Sequence, residues 1–158
     1  MVAYQEVVSQ LMVLAPQLKG KYQELNTNFR RNLSDQDLEE SRLIEDLHGL
    51  QSNQGNIGVS VVFENLFIPC ILELANDQDK STHLSEVMNW VESLANSDIF
   101  AVSNLVAGSV CEPLIASHED KLSNIFPYMG RKTRELCKMQ FSRFIITNQT
   151  KIMFQSVR

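Results

Sequence analysis

Apolar residues recur along the chain at spacings of three and four, the period of an α-helix, and sustained alternation is scarce. Tyr4, Val7, Val8, Leu11, Met12 and Leu14 form one helical stripe. Pro16 sits where a helix can restart, because its missing N–H is no loss in a first turn. Leu18, Tyr22, Leu25 and Phe29 continue the stripe. Ser34 is an N-cap candidate, with Asp35 and Asp37 in the first turn, where the helix dipole favours anions. Leu38, Leu43, Ile44 and Leu47 face inward in that helix, Gly49 ends it, and 51–58 reads as a loop.

The stretch from Val59 to Ala75 is the most apolar, and a helix apolar all round belongs at the centre of a fold. Pro69 is expected to kink it, since the ring removes a ladder bond and crowds the preceding turn. A short buried strand at Val59–Phe63 is the alternative, given its β-branched content. After a polar loop at 76–80, Ser81 or Thr82 caps a helix running to about Ala95, with Leu84, Val87, Met88, Val91 and Leu94 inward. Asp98 caps the next, which buries Phe100, Leu105, Val106, Val110 and Leu114 and is bent or ended by Pro113. A short helix holds Leu122, Ile125 and Phe126, and a basic one starts at Thr133 with Leu136, Met139, Phe141, Phe144 and Ile145 inward. The pattern loosens beyond Thr147.

These elements predict an all-α fold of seven or eight helices. Residues 1–147 form a single domain and 148–158 a tail that frays. A local pattern, apolar-Glu-x-Leu, recurs at Glu45, Glu64, Glu92 and Glu112, at separations of 19, 28 and 20 residues. One helix plus one loop takes about that length, so a short stacked helical array is one reading and four ordinary amphipathic helices the other.

Composition narrows the class. With 158 residues, 44% apolar and 21% charged, the chain can bury a core and is too apolar to be disordered. No export signal or membrane-length apolar run is evident, and Cys70, Cys111 and Cys137 lack CxxC spacing. Both features fit a reducing cytoplasm. Charge is uneven: residues 1–120 hold 18 acids against 6 Lys or Arg, whereas 121–158 hold 8 Lys or Arg against Glu135 alone. Such polarity bears on partners and association rates rather than on fold. The two regions either neutralise each other or meet outside partners.

Chemistry is sparse. His48, His83 and His118 have no His or Cys at helical ligand spacing, and no phosphate loop, nucleophile elbow or zinc motif occurs. No catalytic residue, cofactor or metal is therefore expected. Glu64 and Glu112 lie in apolar helices and call for partners, for which Arg30, Arg31 and Arg42 are candidates. The basic segment Arg131, Lys132, Arg134, Lys138 and Arg143, with Tyr128, Phe141 and Phe144 for stacking, raises a nucleic-acid or regulatory module as the alternative function. The acidic chain average argues against it. The densest carboxylates are Asp35, Asp37, Glu39, Glu40, Glu45 and Asp46, with Asp77, Asp79, Glu119 and Asp120 in predicted loops. They are either a solvated face or a docking face for a basic protein.

The segment Met88-Asn89-Trp90-Val91-Glu92-Ser93-Leu94-Ala95-Asn96-Ser97-Asp98, followed by Val102-Ser103-Asn104-Leu105-Val106 and Ser109-Val110-Cys111-Glu112-Pro113-Leu114, resembles small all-helical bacterial immunity proteins of contact-dependent and polymorphic toxin systems. The match spans about 84–114. The resemblance implies a cytoplasmic inhibitor, not an enzyme, that covers the active site of a cognate toxin domain, often a nuclease. A nuclease binds phosphates through Lys and Arg, so an inhibitor can present carboxylates in their place. On that reading the two acidic sets are the partner-binding residues, and the Glu and Leu of the resembling segment are structural.

Overall fold

The computed structural model describes residues 4–32, 58–144 and 146–155. Among them every regular element is helical and no strand occurs, so the fold is all-α, and the strand alternative at Val59–Phe63 is excluded. The acidic helix expected from Ser34, its inward Leu38, Leu43, Ile44 and Leu47, Gly49 and most of the following loop lie outside the described residues. The chain divides into two compact units, Gln5–Val62 and Phe63–Arg158 with Met1–Tyr4.

In the first unit, α1 (Val7–Leu14) stops at Ala15, and Pro16 opens a 3-10 turn that leads into α2 (Lys19–Asn32). Pro16 does what its missing N–H allows: it starts a turn where no donor is needed. Val7, Leu11, Met12, Ala15 and Leu18 are buried, as are Val59 and Val62 of α3 (Val59–Val62).

The second unit holds the larger core. A π-helical turn, Phe63–Phe67, leads into α4 (Ile68–Ala75). Pro69 sits just after that turn. It has no N–H for the usual bond four residues back, and the wider π turn absorbs the mismatch where a simple kink was expected. The same device recurs: α6 (Phe100–Val106) passes through a π turn, Ala107–Cys111, into α7 (Glu112–Ser117), which carries Pro113 in its first turn. Between them, a 3-10 turn (Gln78–Lys80) precedes α5 (Ser81–Ala95). Leu84, Val87, Met88, Val91 and Leu94 are all buried, as the spacing predicts. By length and apolarity Phe100–Ser117 could cross a membrane. Here its apolar side is occupied, because Val102, Leu105, Val106, Val110, Leu114 and Ile115 are buried within the protein.

The C-terminal part runs through a 3-10 turn (Glu119–Lys121), α8 (Leu122–Ile125), a second 3-10 turn (Phe126–Tyr128), α9 (Arg131–Met139) and α10 (Asn148–Met153). Three expectations change here. Phe100, expected inside, is 79% exposed, because α6 starts at it and turns that position outward. In α9, Thr133 and Cys137 face the core, whereas Met139 is 70% exposed. The helix starts two residues earlier than its apolar stripe suggests. Finally, Asn148–Met153, expected to belong to a frayed tail, is helical. The Thr147 hydroxyl accepts the Thr150 N–H at 3.2 Å as an N-cap, and the buried Phe154 ring packs edge-on against Phe126 (4.7 Å) and Phe141 (5.1 Å).

Candidate partner-binding surfaces

Of the carboxylates expected to face a partner, Asp35, Asp37, Glu39, Glu40, Glu45 and Asp46 lie outside the described residues. The others fall on two turns. At the end of α4, Asp77 Oδ1 accepts the Asp79 N–H at 3.1 Å, which folds the 3-10 turn. Its Oδ2 lies 3.3 Å from Lys80 Nζ, and Glu73 Oε1 lies 3.4 Å from the same ammonium. Bonds to Asp77 and Glu73 hold the Lys80 pKa above its ordinary value. Asp79 is exposed alongside. Two carboxylates therefore share one ammonium, and with Asp79 exposed beside them the turn carries surplus negative charge.

On the second turn the two acids differ. Glu119 Oε1 accepts the Thr147 N–H at 2.7 Å. Burial opposes its ionised form, but bonds from the Thr150 hydroxyl and from Thr147 outweigh that and hold the carboxyl below the usual range. Its carboxylate is committed to the start of α10. Asp120 faces outward, its side chain 71% exposed and 3.4 Å from Lys121. The two border an open hollow of about 730 Å³ that also meets Ile115, Arg143, Phe144 and Met153.

Glu92 accounts for the resembling segment differently. It reaches across to α9, some forty residues on. Oε1 accepts the Lys132 N–H at 2.8 Å and Oε2 the Thr133 N–H at 2.9 Å and hydroxyl at 2.7 Å; Asn96 Nδ2 adds a bond at 3.1 Å. Burial alone would raise its pKa, yet these donors leave it lowered. Glu92 is thus an N-cap supplied from another helix, satisfying N–H groups that a helix start leaves without partners. Gly130 makes room, since a Cβ there would collide with the Glu92 carboxylate. The spacing rules for local caps cannot find such a pair. Only the Gly preceding Arg-Lys-Thr signals it.

The expected partners of the other echo glutamates are corrected. Glu112 pairs with Arg143 at 3.1 Å and Glu64 is exposed, whereas Arg42 and the side chain of Arg30 lie outside the described residues. The basic segment is largely occupied within the protein. Arg131 and Lys132 pair with Glu135 at 2.9 and 3.3 Å. Arg134 donates to the Phe126 carbonyl at 3.0 Å and lies 4.3 Å from the centre of that ring. Phe141, proposed for stacking bases, spends its face on Phe154. Charge in the C-terminal part is thus partly neutralised by acids of both regions.

Among the described residues no group of His, Cys, Asp and Glu is arranged to hold a metal ion. All three cysteines are buried and none is in a disulfide. Burial, with Cys137 alongside, pushes the Cys111 thiol well up, which keeps it protonated. No family model matches the chain, and neither curated proteins nor solved structures yield a match.

Proposed function

We propose that this chain is a binding protein of the immunity type. It acts in the cytoplasm, without chemistry of its own, by covering the basic active-site surface of a cognate toxin domain. The sequence resemblance over 84–114 suggests the class. The observation that carries it is the contrast between the two charged regions. Arg131 and Lys132 share Glu135 and Arg143 pairs with Glu112 at the surface, and Arg134 donates to the Phe126 carbonyl, whereas Glu73 and Asp77 share Lys80 and Asp79 stands exposed beside them, so that three carboxylates meet one cation. An outward-facing surplus of carboxylate suits a partner rich in Lys and Arg, through steering and complementarity. Glu119 is a supporting element of this surface, while Asp79 and Asp120 are its contact candidates.

The test is genetic and direct. The toxic domain encoded beside this gene is expressed in a susceptible host with and without the chain. Restored growth, with a complex of the two proteins recovered by size exclusion, is the expected outcome. A host that dies equally in both cases, or a gene with no toxin beside it, removes the assignment.

A further inference from the structure

We infer that Phe63–Ala95 and Ala107–Gln140 are two copies of one helical repeat, stacked side by side and closed at the C-terminal end by α10. The inference does not depend on the partner reading.

The first helices align at an offset of 44 in their π turns, their prolines and five buried positions. A five-residue π turn occupies Phe63–Phe67 in one and Ala107–Cys111 in the other, and Pro69 and Pro113 follow at the same distance. Phe63, Leu66, Phe67, Cys70 and Ile71 are buried; so are Ala107, Val110, Cys111, Leu114 and Ile115, their counterparts. A π turn is rare outside special sites. Two at the same place, each tied to a proline, are not expected of unrelated helices.

The turns that follow match at an offset of 41. Gln78-Asp79-Lys80 and Glu119-Asp120-Lys121 are both 3-10 turns. Each closes with the Lys N–H bonded three residues back, to Asp77 O at 3.0 Å and to His118 O at 2.9 Å. The next residues, Ser81 and Leu122, share φ −58° and ψ −36°. In the second helices Leu84 matches Ile125 at the same offset. Phe126–Gly130 then interrupts the second copy by five residues, and Val87, Val91 and Leu94 match Thr133, Cys137 and Gln140 at an offset of 46, all of them buried.

Packing follows the same symmetry. The two π turns contact each other, and α5 packs on α9, so equivalent elements are neighbours, as stacking of repeats requires. Terminal repeats need a cap with a polar outer face. Here α10 buries Thr150 and the adjoining Phe154 inward and leaves Asn148, Gln149 and Lys151 exposed, with Ile152 the one apolar residue of that outer face. The glutamates of the apolar-Glu-x-Leu pattern are not in equivalent positions: in this register Glu64 matches Gly108, and Glu112 matches Ile68. The prolines mark the repeat.

An array can be lengthened, whereas a bundle with a single closed core cannot. A second copy of residues 63–106 is inserted after Val106, so that Val precedes Phe63 at the new junction as Val62 does in the natural chain. The expected product is a soluble monomer with unchanged ellipticity per residue and one cooperative melt. A soluble chain whose inserted copy stays unfolded, with ellipticity per residue lower by about a fifth, overturns the inference. If the junction itself prevents folding, amide exchange in the natural full-length chain decides. Phe154→Ala, which loosens the cap, should speed exchange across 107–140 by about a hundredfold or more while 63–95 changes by less than about twofold. Equal acceleration in both segments means one undivided core and overturns the inference.

Discussion

The carboxylate of Glu92 occupies the space into which a side chain at position 130 would grow. The same carboxylate takes the Lys132 and Thr133 N–H groups. Glycine and glutamate are therefore one device: the first lets the second approach the helix start, and the second replaces a local cap. Gly130→Ala should push the flexible Glu92 side chain out and lose these bonds. The expected cost is about 1–2 kcal/mol, the range for losing an N-cap. Glu92→Ala should cost about the same or somewhat more, since Thr133 is buried and its hydroxyl loses its acceptor. In the Glu92→Ala background, Gly130→Ala should be close to neutral. Denaturant melts of the four chains give the coupling directly. Two additive costs would mean that the residues do not act on each other.

Acid should weaken the fold through the same group. The Glu92 pKa lies below its unfolded value of 4.5 because the helix-start donors favour the ionised form. A depressed carboxyl contributes stability that is fully present above the unfolded pKa and is lost as pH falls through the folded one. Glu119 and Glu135, also lowered, act in the same direction from more exposed positions. Melting temperature should therefore hold steady near neutrality and drop on going below about pH 4.5. Glu92→Gln should lower stability at pH 7 and flatten the acid slope. An unchanged slope in this variant would assign the acid sensitivity to other carboxyls.

The C-terminal segment gives a prediction on which sequence and structure differ sharply. A frayed tail would tolerate any change at Phe154. The buried ring between Phe126 and Phe141 instead predicts a loss of about 3–5 kcal/mol for Phe154→Ala, the usual cost of emptying an aromatic site. Chemical denaturation measures it, and a change under about 0.5 kcal/mol, typical of an exposed site, would return the segment to the status of a tail.

What was legible in the sequence was what periodicity encodes. Leu84 to Leu94 declared an amphipathic helix, and that helix is present with those residues inside. What was not legible depended on partners far along the chain. Phe141 and Phe154 find each other across thirteen positions, and Glu92 finds Thr133 across forty-one. Pro69 and Pro113 signalled disruption, but the form it takes, a π turn that keeps the helix going, depends on neighbours that favour continuation. Met139 misled because apolar spacing was counted from Thr133, while the cap on Lys132 and Thr133 sets α9 in a different rotation. The candidate contact acids were visible as charge. That Asp77 and Glu119 hold turns together while Asp79 and Asp120 do not required coordinates.

That division decides which substitutions test partner binding. Reversing Asp77 or Glu119 would disturb the fold and confuse the result. Asp79 and Asp120 occupy the same position of the two equivalent turns, are exposed, and organise nothing beyond themselves in the way their neighbours do. Asp79→Lys and Asp120→Lys should each leave the circular dichroism melt within about 0.5 kcal/mol of the parent. Rim charges act mainly on association, so each should slow binding to the toxin domain and reduce its salt dependence, with dissociation little changed. A partner surface that spans both turns would make the double variant slower than either single one. The segment carrying Asp35, Asp37 and Glu39 is tested separately by the triple lysine variant in the same assay. Surface plasmon resonance at two salt concentrations reads rate and slope together. Association rates and salt slopes unchanged in all of these variants would rule out the carboxylates as the partner-facing charge. Contact would then rest on apolar positions left in solvent, among them Phe100, Met139 and Ile152.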